Sequence, residues 1–252
     1  MECRPGTAAA AAFVIGVTLV LALRGVARTE AEAGSGSAGG PLLGPRVRAW
    51  YRGLFGPTET WLADLGVRPD HLTYAQFAVS VLAGGAFAGG AIFLAGWLTI
   101  LAGTLDILDG GLARRTGLAS PRGALLDSVT DRWAEAATFA GLGVFYYRDG
   151  WMLAVVALAA VASQMVSYVR ARAEGVGVAL SGGRAQRPER YVILGFGAWI
   201  SGLTTHLLCP LLGRRSHVVL SAAVCLLAGM AVWTAMQRTR DALDALEDRS
   251  RT

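Results

Sequence analysis

Between residues 72 and 236 the chain alternates long apolar segments with short arginine-bearing ones. That alternation limits the fold more than any other feature. Where no water reaches the backbone, each segment must satisfy its own N–H and C=O groups, which selects helices. A helical span needs about 20 predominantly apolar residues. Residues 72–93 and 94–105 form a nearly continuous apolar stretch, interrupted by Gly84-Gly85 and Gly89-Gly90, and read as two helices with a tight turn near Gly89. Further spans are expected at about 124–147, 151–169, 191–212 and 218–236. At 54% hydrophobic and 16% charged residues, the composition suits a polytopic membrane protein and not a soluble core. The expected fold is therefore all-α and integral to a membrane, with a six-transmembrane-helix core.

Orientation follows from arginine, which supplies all 23 basic residues. Arg46, Arg48, Arg52 and Arg68 precede the first core span; Arg114, Arg115 and Arg122 lie between the second and third. Arg170, Arg172, Arg184, Arg187 and Arg190 lie between the fourth and fifth, and Arg238 and Arg240 follow the sixth. The opposite loops hold Arg148, Arg214 and Arg215. The positive-inside rule puts both ends of the core on the cytoplasmic side, in a plasma (inner) membrane. The net charge of +5 comes largely from this face, and the hydrophobic runs argue against a nucleic-acid partner.

Residues 1–43 stand apart as an N-terminal hydrophobic segment (8–23) followed by a flexible Gly/Ser/Ala-rich linker. The segment reads equally as an extra anchor helix, a signal-like segment or sequence upstream of a misplaced start. Residues 46–67 are amphipathic, with Trp50, Tyr51, Leu54, Phe55, Trp61 and Leu62 among polar residues. They suit a juxtamembrane interfacial helix or a pair of short ones. The membrane domain is expected over 44–240 and a polar tail over 241–252.

The chemistry is concentrated at residues 106–131, DILDGGLARRTGLASPRGALLDSVTD, with the pattern D-x2-D-G-x2-A-R-x8-G-x3-D-x3-D. Ionisable residues at the edge of a membrane span are costly and mark function by default. On one helix Asp106 and Asp109 share a face, and on the next Asp127 and Asp131 do so. Two such pairs facing each other make an all-oxygen box, the donor set of hard cations: Mg²⁺, with Mn²⁺ as the alternative. The competing explanation is helix capping at a membrane surface.

The pattern closely resembles that of the CDP-alcohol phosphotransferase family, matched at Asp106, Asp109, Gly110, Ala113, Arg114, Gly123, Asp127 and Asp131. The resemblance implies transfer of a phosphatidyl group from CDP-diacylglycerol to an alcohol, with CMP leaving. It implies Asp106, Asp109 and Asp127 as ligands of the metal, two ions in all. The resemblance also implies that Asp131 completes the box and serves as general base. Spacing alone does not distinguish Asp127 from Asp131 as the base. Gly110, Ala113 and Gly123 leave room for a nucleotide, and helix packing would use the same small residues. Arg114 suits a phosphate or cytidine, or a positive-inside anchor. Upstream, Pro69-Asp70-His71-Leu72-Thr73 resembles the family's P-N-x-L-T segment with Asp in place of Asn. Asp70 and Thr73 join the CDP-lipid set on that basis, with helix capping as the alternative.

The acceptor is read from two further stretches. SYVRARAE at 167–174 with RPER at 187–190, and DSVTDR at 127–132, resemble the phosphatidylinositol-phosphate synthase branch. That resemblance implies inositol phosphate as acceptor, and a homodimer is expected. It points to Arg170, Arg190 and Arg238 as ligands of the acceptor phosphate, which arginine grips with paired hydrogen bonds. The alternatives are another acceptor (inositol, glycerol phosphate or serine) and, in a different class, an ion-coupled transporter. A transporter would carry its acids near mid-membrane in broken helices. Cys3, Cys209 and Cys225 fit no metal pattern, and His71, His206 and His217 form no cluster.

Overall fold

The computed structural model describes residues 45–180, 187–212 and 217–251, and side chains from residue 55 onward except 206–212 and 251. The N-terminal hydrophobic segment and its linker lie outside the described residues. Seven helices are described: α1 Pro45–Asp64, α2 Pro69–Ala88, α3 Ile92–Thr116, α4 Pro121–Phe145, α5 Gly150–Gly175, α6 Arg187–Leu212 and α7 Val218–Arg251. No strand occurs among the described residues.

Local chemistry sets the helix ends. Pro69 and Pro121 occupy the first turns of α2 and α4, where a missing N–H costs nothing. The side chains of Ser120 and Asp149 cap α4 and α5, accepting from the backbone N–H of Gly123 and Met152 at 3.1 Å each. α2 ends at Gly89-Gly90, with Gly90 at φ +73°, so the turn lies where the glycine pair predicted it. α3 does not stop where its apolar run stops, at residue 105. It continues through the acidic motif to Gly117, which ends it in the left-handed conformation at φ +68°. α7 likewise runs on through the polar tail to Arg251. Residues 45–64 form one helix that accommodates Pro57.

Helices α2 to α7 close into a ring in the order α4, α2, α3, α6, α7, α5 and back to α4, with α1 packed outside on α3. At one end all six helices contribute to an apolar core that includes Phe87, Ile92, Leu142, Val156, Leu194 and Leu227. A smaller core of Leu72, Leu108 and Leu112 with Phe55, Leu62 and Leu105 seats α1. Glycines set the closest approaches. A Cβ at Gly141 would strike the backbone of Gly84, and one at Gly84 the carbonyl of Ala137, so α2 and α4 touch backbone to backbone. Leu82, Leu101, Leu158, Val161 and Leu226 point outward and are exposed, as suits a chain solvated by lipid. α3, α5 and α7 are each long and apolar enough to cross a membrane.

Candidate active site

The end of the ring opposite the apolar core carries the polar chemistry. The last turns of α3 meet the first turns of α2, α4 and α6 there. Carboxylate oxygens of Asp106 on α3 and of Asp127 and Asp131 on α4 all lie within 4.8 Å of one another. The one-turn spacing of Asp127 and Asp131 aims both at α3. The Asp131 side chain is only 13% exposed, and its Oδ1 is buried without a hydrogen-bond partner. An orphaned carboxylate oxygen within an all-oxygen cluster fits a hard divalent cation. The donor set therefore agrees with the metal expected from the sequence.

Asp109 sits beside this trio and not within it. It is 6% exposed, and its Oδ2 accepts a 2.8 Å hydrogen bond from Thr73 Oγ1 of α2. Two residues assigned separately from the sequence, one to metal and one to nucleotide, are thus bonded directly. Next to them Asp70 Oδ2 accepts from Arg122 Nη1 at 2.7 Å, and Asp70 Oδ1 lies 4.0 Å from where a Cβ on Gly123 would be. Along α3, the Arg114 guanidinium folds back to within 3.3 Å of a Cβ placed on Gly110. Ala113 lies on the same helix face as Gly110, three residues on. Asp70, Thr73, Asp109 and Gly123 thus meet where α2, α3 and α4 begin or end, with Gly110, Ala113 and Arg114 along the adjoining turns of α3.

On the other side of Asp127 and Asp131 opens a cavity of about 570 Å³. Arg170, Arg190 and Arg238, chosen from the sequence on three different helices, all line it, together with Arg132 and Arg187. Arg190 is 5% exposed; its Nε lies 3.0 Å from Glu135 Oε1, and its Nη1 donates to the Ser163 carbonyl at 3.2 Å. Arg238 is 8% exposed and donates from Nη1 to the Val166 carbonyl at 2.8 Å. Arg170 stands at the mouth, more than half exposed, paired with Glu174 at 2.9 Å.

Sequence reasoning missed three participants. Arg187 reaches into the acid trio, 3.1 Å from Asp106 Oδ1 and paired with Asp131 Oδ2. It was visible in RPER, but only the second arginine of that motif was assigned. Its guanidinium lies over the Tyr191 ring, 5.8 Å from the centroid, while Tyr191 packs on Gly103 and accepts from Gln76 Nε2 at 2.8 Å. Glu135 extends the series Asp127, Asp131 by one more turn, and that periodicity was its signal. Glu59 of α1 lies against Gly111, where a Cβ would strike its carboxylate, and pairs with Arg115 at 3.5 Å. No local pattern announces that contact.

The chain as a whole is similar to known proteins. The sequence model of the CDP-alcohol phosphatidyltransferase family matches residues 67–236. The phosphatidylinositol phosphate synthase of Mycobacteroides abscessus is 37% identical over 166 residues, covering 64% of this chain and 75% of the relative. That of Mycobacterium tuberculosis is 33% identical over 199 residues, covering 74% and 89%. The crystal structure of the M. tuberculosis synthase with CDP-DAG bound matches with a TM-score of 0.62 at 31% identity, covering 74% of this chain and 92% of that one. Its complex with manganese and citrate matches with a TM-score of 0.65 at 31% identity, covering 74% and 88%. With two thirds of its length matched by the family's sequence model, the chain belongs to the CDP-alcohol phosphatidyltransferase family, a family of membrane enzymes.

Proposed function

We propose that the chain transfers the phosphatidyl group of CDP-diacylglycerol to a hydroxyl of inositol phosphate, releasing CMP. One observation carries the reading: Asp127 and Asp131 of the acid trio share a single cavity with Arg170, Arg190 and Arg238. A hydroxyl nucleophile bearing a phosphate needs a carboxylate at one end and guanidinium groups at the other, within one molecule's length. The names of its relatives and the CDP-DAG bound in the M. tuberculosis synthase support the same substrates.

In this reading Asp106, Asp109 and Asp127 hold two Mg²⁺ ions, with Mn²⁺ as a substitute, and Asp131 completes the set. The ions neutralise the pyrophosphate and the charge that grows on departing CMP. Asp70, Thr73, Gly110, Ala113, Arg114 and Gly123 receive the cytidine and its phosphates at the α2–α3–α4 junction. Asp131 accepts the proton of the acceptor hydroxyl as its oxygen bonds to the β-phosphorus. Arg170, Arg190 and Arg238 hold the acceptor's phosphate and aim its hydroxyl. The six-helix ring is a six-span core within a 44–240 membrane domain. Its polar end faces the cytoplasm at the plasma membrane, and the enzyme works as a homodimer.

The test is CMP release in detergent or liposomes with CDP-diacylglycerol and a panel of acceptors. Inositol phosphate is expected to support turnover, and inositol, glycerol phosphate and serine to be poor. Equal use of inositol and inositol phosphate contradicts the phosphate pocket. A preference for glycerol phosphate keeps the arginines as phosphate ligands but changes the substrate.

A further inference from the structure

Three acids recur every four residues on one face of α4: Asp127, Asp131 and Glu135. The first two belong to the acid trio. The third does not, although it lines the same cavity and its side chain is only 13% exposed. A carboxylate in a pocket that must receive a phosphate repels its ligand, so its presence calls for another explanation.

The ring geometry supplies one. Among the described residues α4 and α6 do not pack against each other. Side chains bridge the space between them, as two rungs: Asp131 to Arg187 and Glu135 to Arg190. In the second rung the Arg190 side chain is 6% exposed and meets Glu135 along its Nε edge, while Nη1 donates to the Ser163 carbonyl. The guanidinium is thereby held between two helices, by the charge of Glu135 on α4 and by the hydrogen bond to the Ser163 carbonyl on α5, with further N–H groups left for a ligand in the cavity. A guanidinium held in advance loses less freedom on binding than one that must be ordered by the substrate. Released from Glu135, it would be drawn one turn along α4 to the acid trio.

We propose that Glu135 is the positioning residue that fixes Arg190 for the phosphate of the acceptor; the proposal rests on the acceptor reading given above. Glu135→Gln keeps the shape and removes the charge. It is expected to raise the KM for inositol phosphate about tenfold, the size of a misplaced charge-assisted hydrogen bond. The KM for CDP-diacylglycerol is expected to stay unchanged, which also shows that the variant is folded. Glu135→Asp should recover part of the loss. In an Arg190→Ala background, Glu135→Gln should have no further effect on the acceptor KM. The proposal is overturned if Glu135→Gln lowers the acceptor KM, which would make Glu135 simply a repulsive charge. It is also overturned if both KM values rise together, or if the effect persists at full size without Arg190. A parent enzyme that turns over inositol phosphate while Glu135→Gln leaves its KM unchanged overturns this proposal alone. A parent that ignores inositol phosphate overturns the acceptor reading first.

Discussion

Arg187 occupies the position of a counter-ion within the acid trio, and its replacement gives the sharpest test of how that trio works. Arg187 Nη1 lies 3.1 Å from Asp106 Oδ1, and the same atom pairs with Asp131. At an effective dielectric of about 20, unit charges at the first separation attract by roughly 5 kcal/mol. The carboxylate oxygens of Asp106, Asp127 and Asp131 lie within 4.8 Å of one another, so each charged pair repels by roughly 3.5 kcal/mol or more on the same scale. Desolvation offsets much of both quantities, leaving about 1–3 kcal/mol for the guanidinium as a substitute cation. A divalent ion entering the trio must displace that contribution. Arg187→Gln is therefore expected to bind Mn²⁺ roughly ten- to a hundredfold more tightly than the parent. In chelator the variant should melt at a lower temperature, because three half-buried acids have lost their counter-ion. Its thermal shift on adding Mn²⁺ should exceed the parent's. Electron paramagnetic resonance of free Mn²⁺ during a titration gives the affinity without reference to turnover. Equal Mn²⁺ affinity and equal thermal shifts in both proteins would refute the counter-ion argument.

Three further outcomes are expected. Asp131→Asn should reduce CMP release by about 10²–10⁴-fold while CDP-diacylglycerol binding, measured on the same preparation, changes little; parallel loss of both would make Asp131 chiefly a metal ligand. Thr73→Val keeps the shape but removes the 2.8 Å bond to buried Asp109, so the melting temperature should fall by an amount equivalent to about 1–3 kcal/mol, and the CDP-lipid KM should rise. Unchanged melting and KM would detach Thr73 from the site. Gly141→Ala places a Cβ 2.5 Å from the carbonyl carbon and 2.6 Å from the Cα of Gly84, where ordinary contact is 3.4–4 Å. It should cost about 1–3 kcal/mol of stability in a detergent melt, whereas Gly143→Ala, whose nearest neighbour is Leu153 Cδ1 at 3.7 Å, should be close to neutral.

The sequence by itself determined what depends on short-range pattern. Apolar segment length and glycine pairs located the helices from α2 onward, because a helix in lipid satisfies its backbone within itself. Fixed spacing at residues 106–131 identified the paired acids, because residues three and four apart on a helix share a face whatever surrounds them; the family followed from the resemblance of the whole pattern. The extent of α3 beyond its apolar run was less legible. Hydropathy marks where water begins, whereas hydrogen bonding carries the helix on to Gly117.

Only the tertiary structure decided what depends on neighbours far apart in the chain. The ring order brings α4 opposite α6 without direct packing, and so leaves a cavity that side chains from four helices share. It also binds Asp109 to Thr73, 36 positions away, and inserts Arg187 between Asp106 and Asp131. Arg190 and Glu135 illustrate the division. Each was visible as a charged residue at helical spacing, yet their pairing at 3.0 Å exists only because two helices distant in sequence face each other across the ring. A local period specifies which face of a helix is polar. It carries no information about which other helix that face will meet, and the chemistry of this site lies in those meetings.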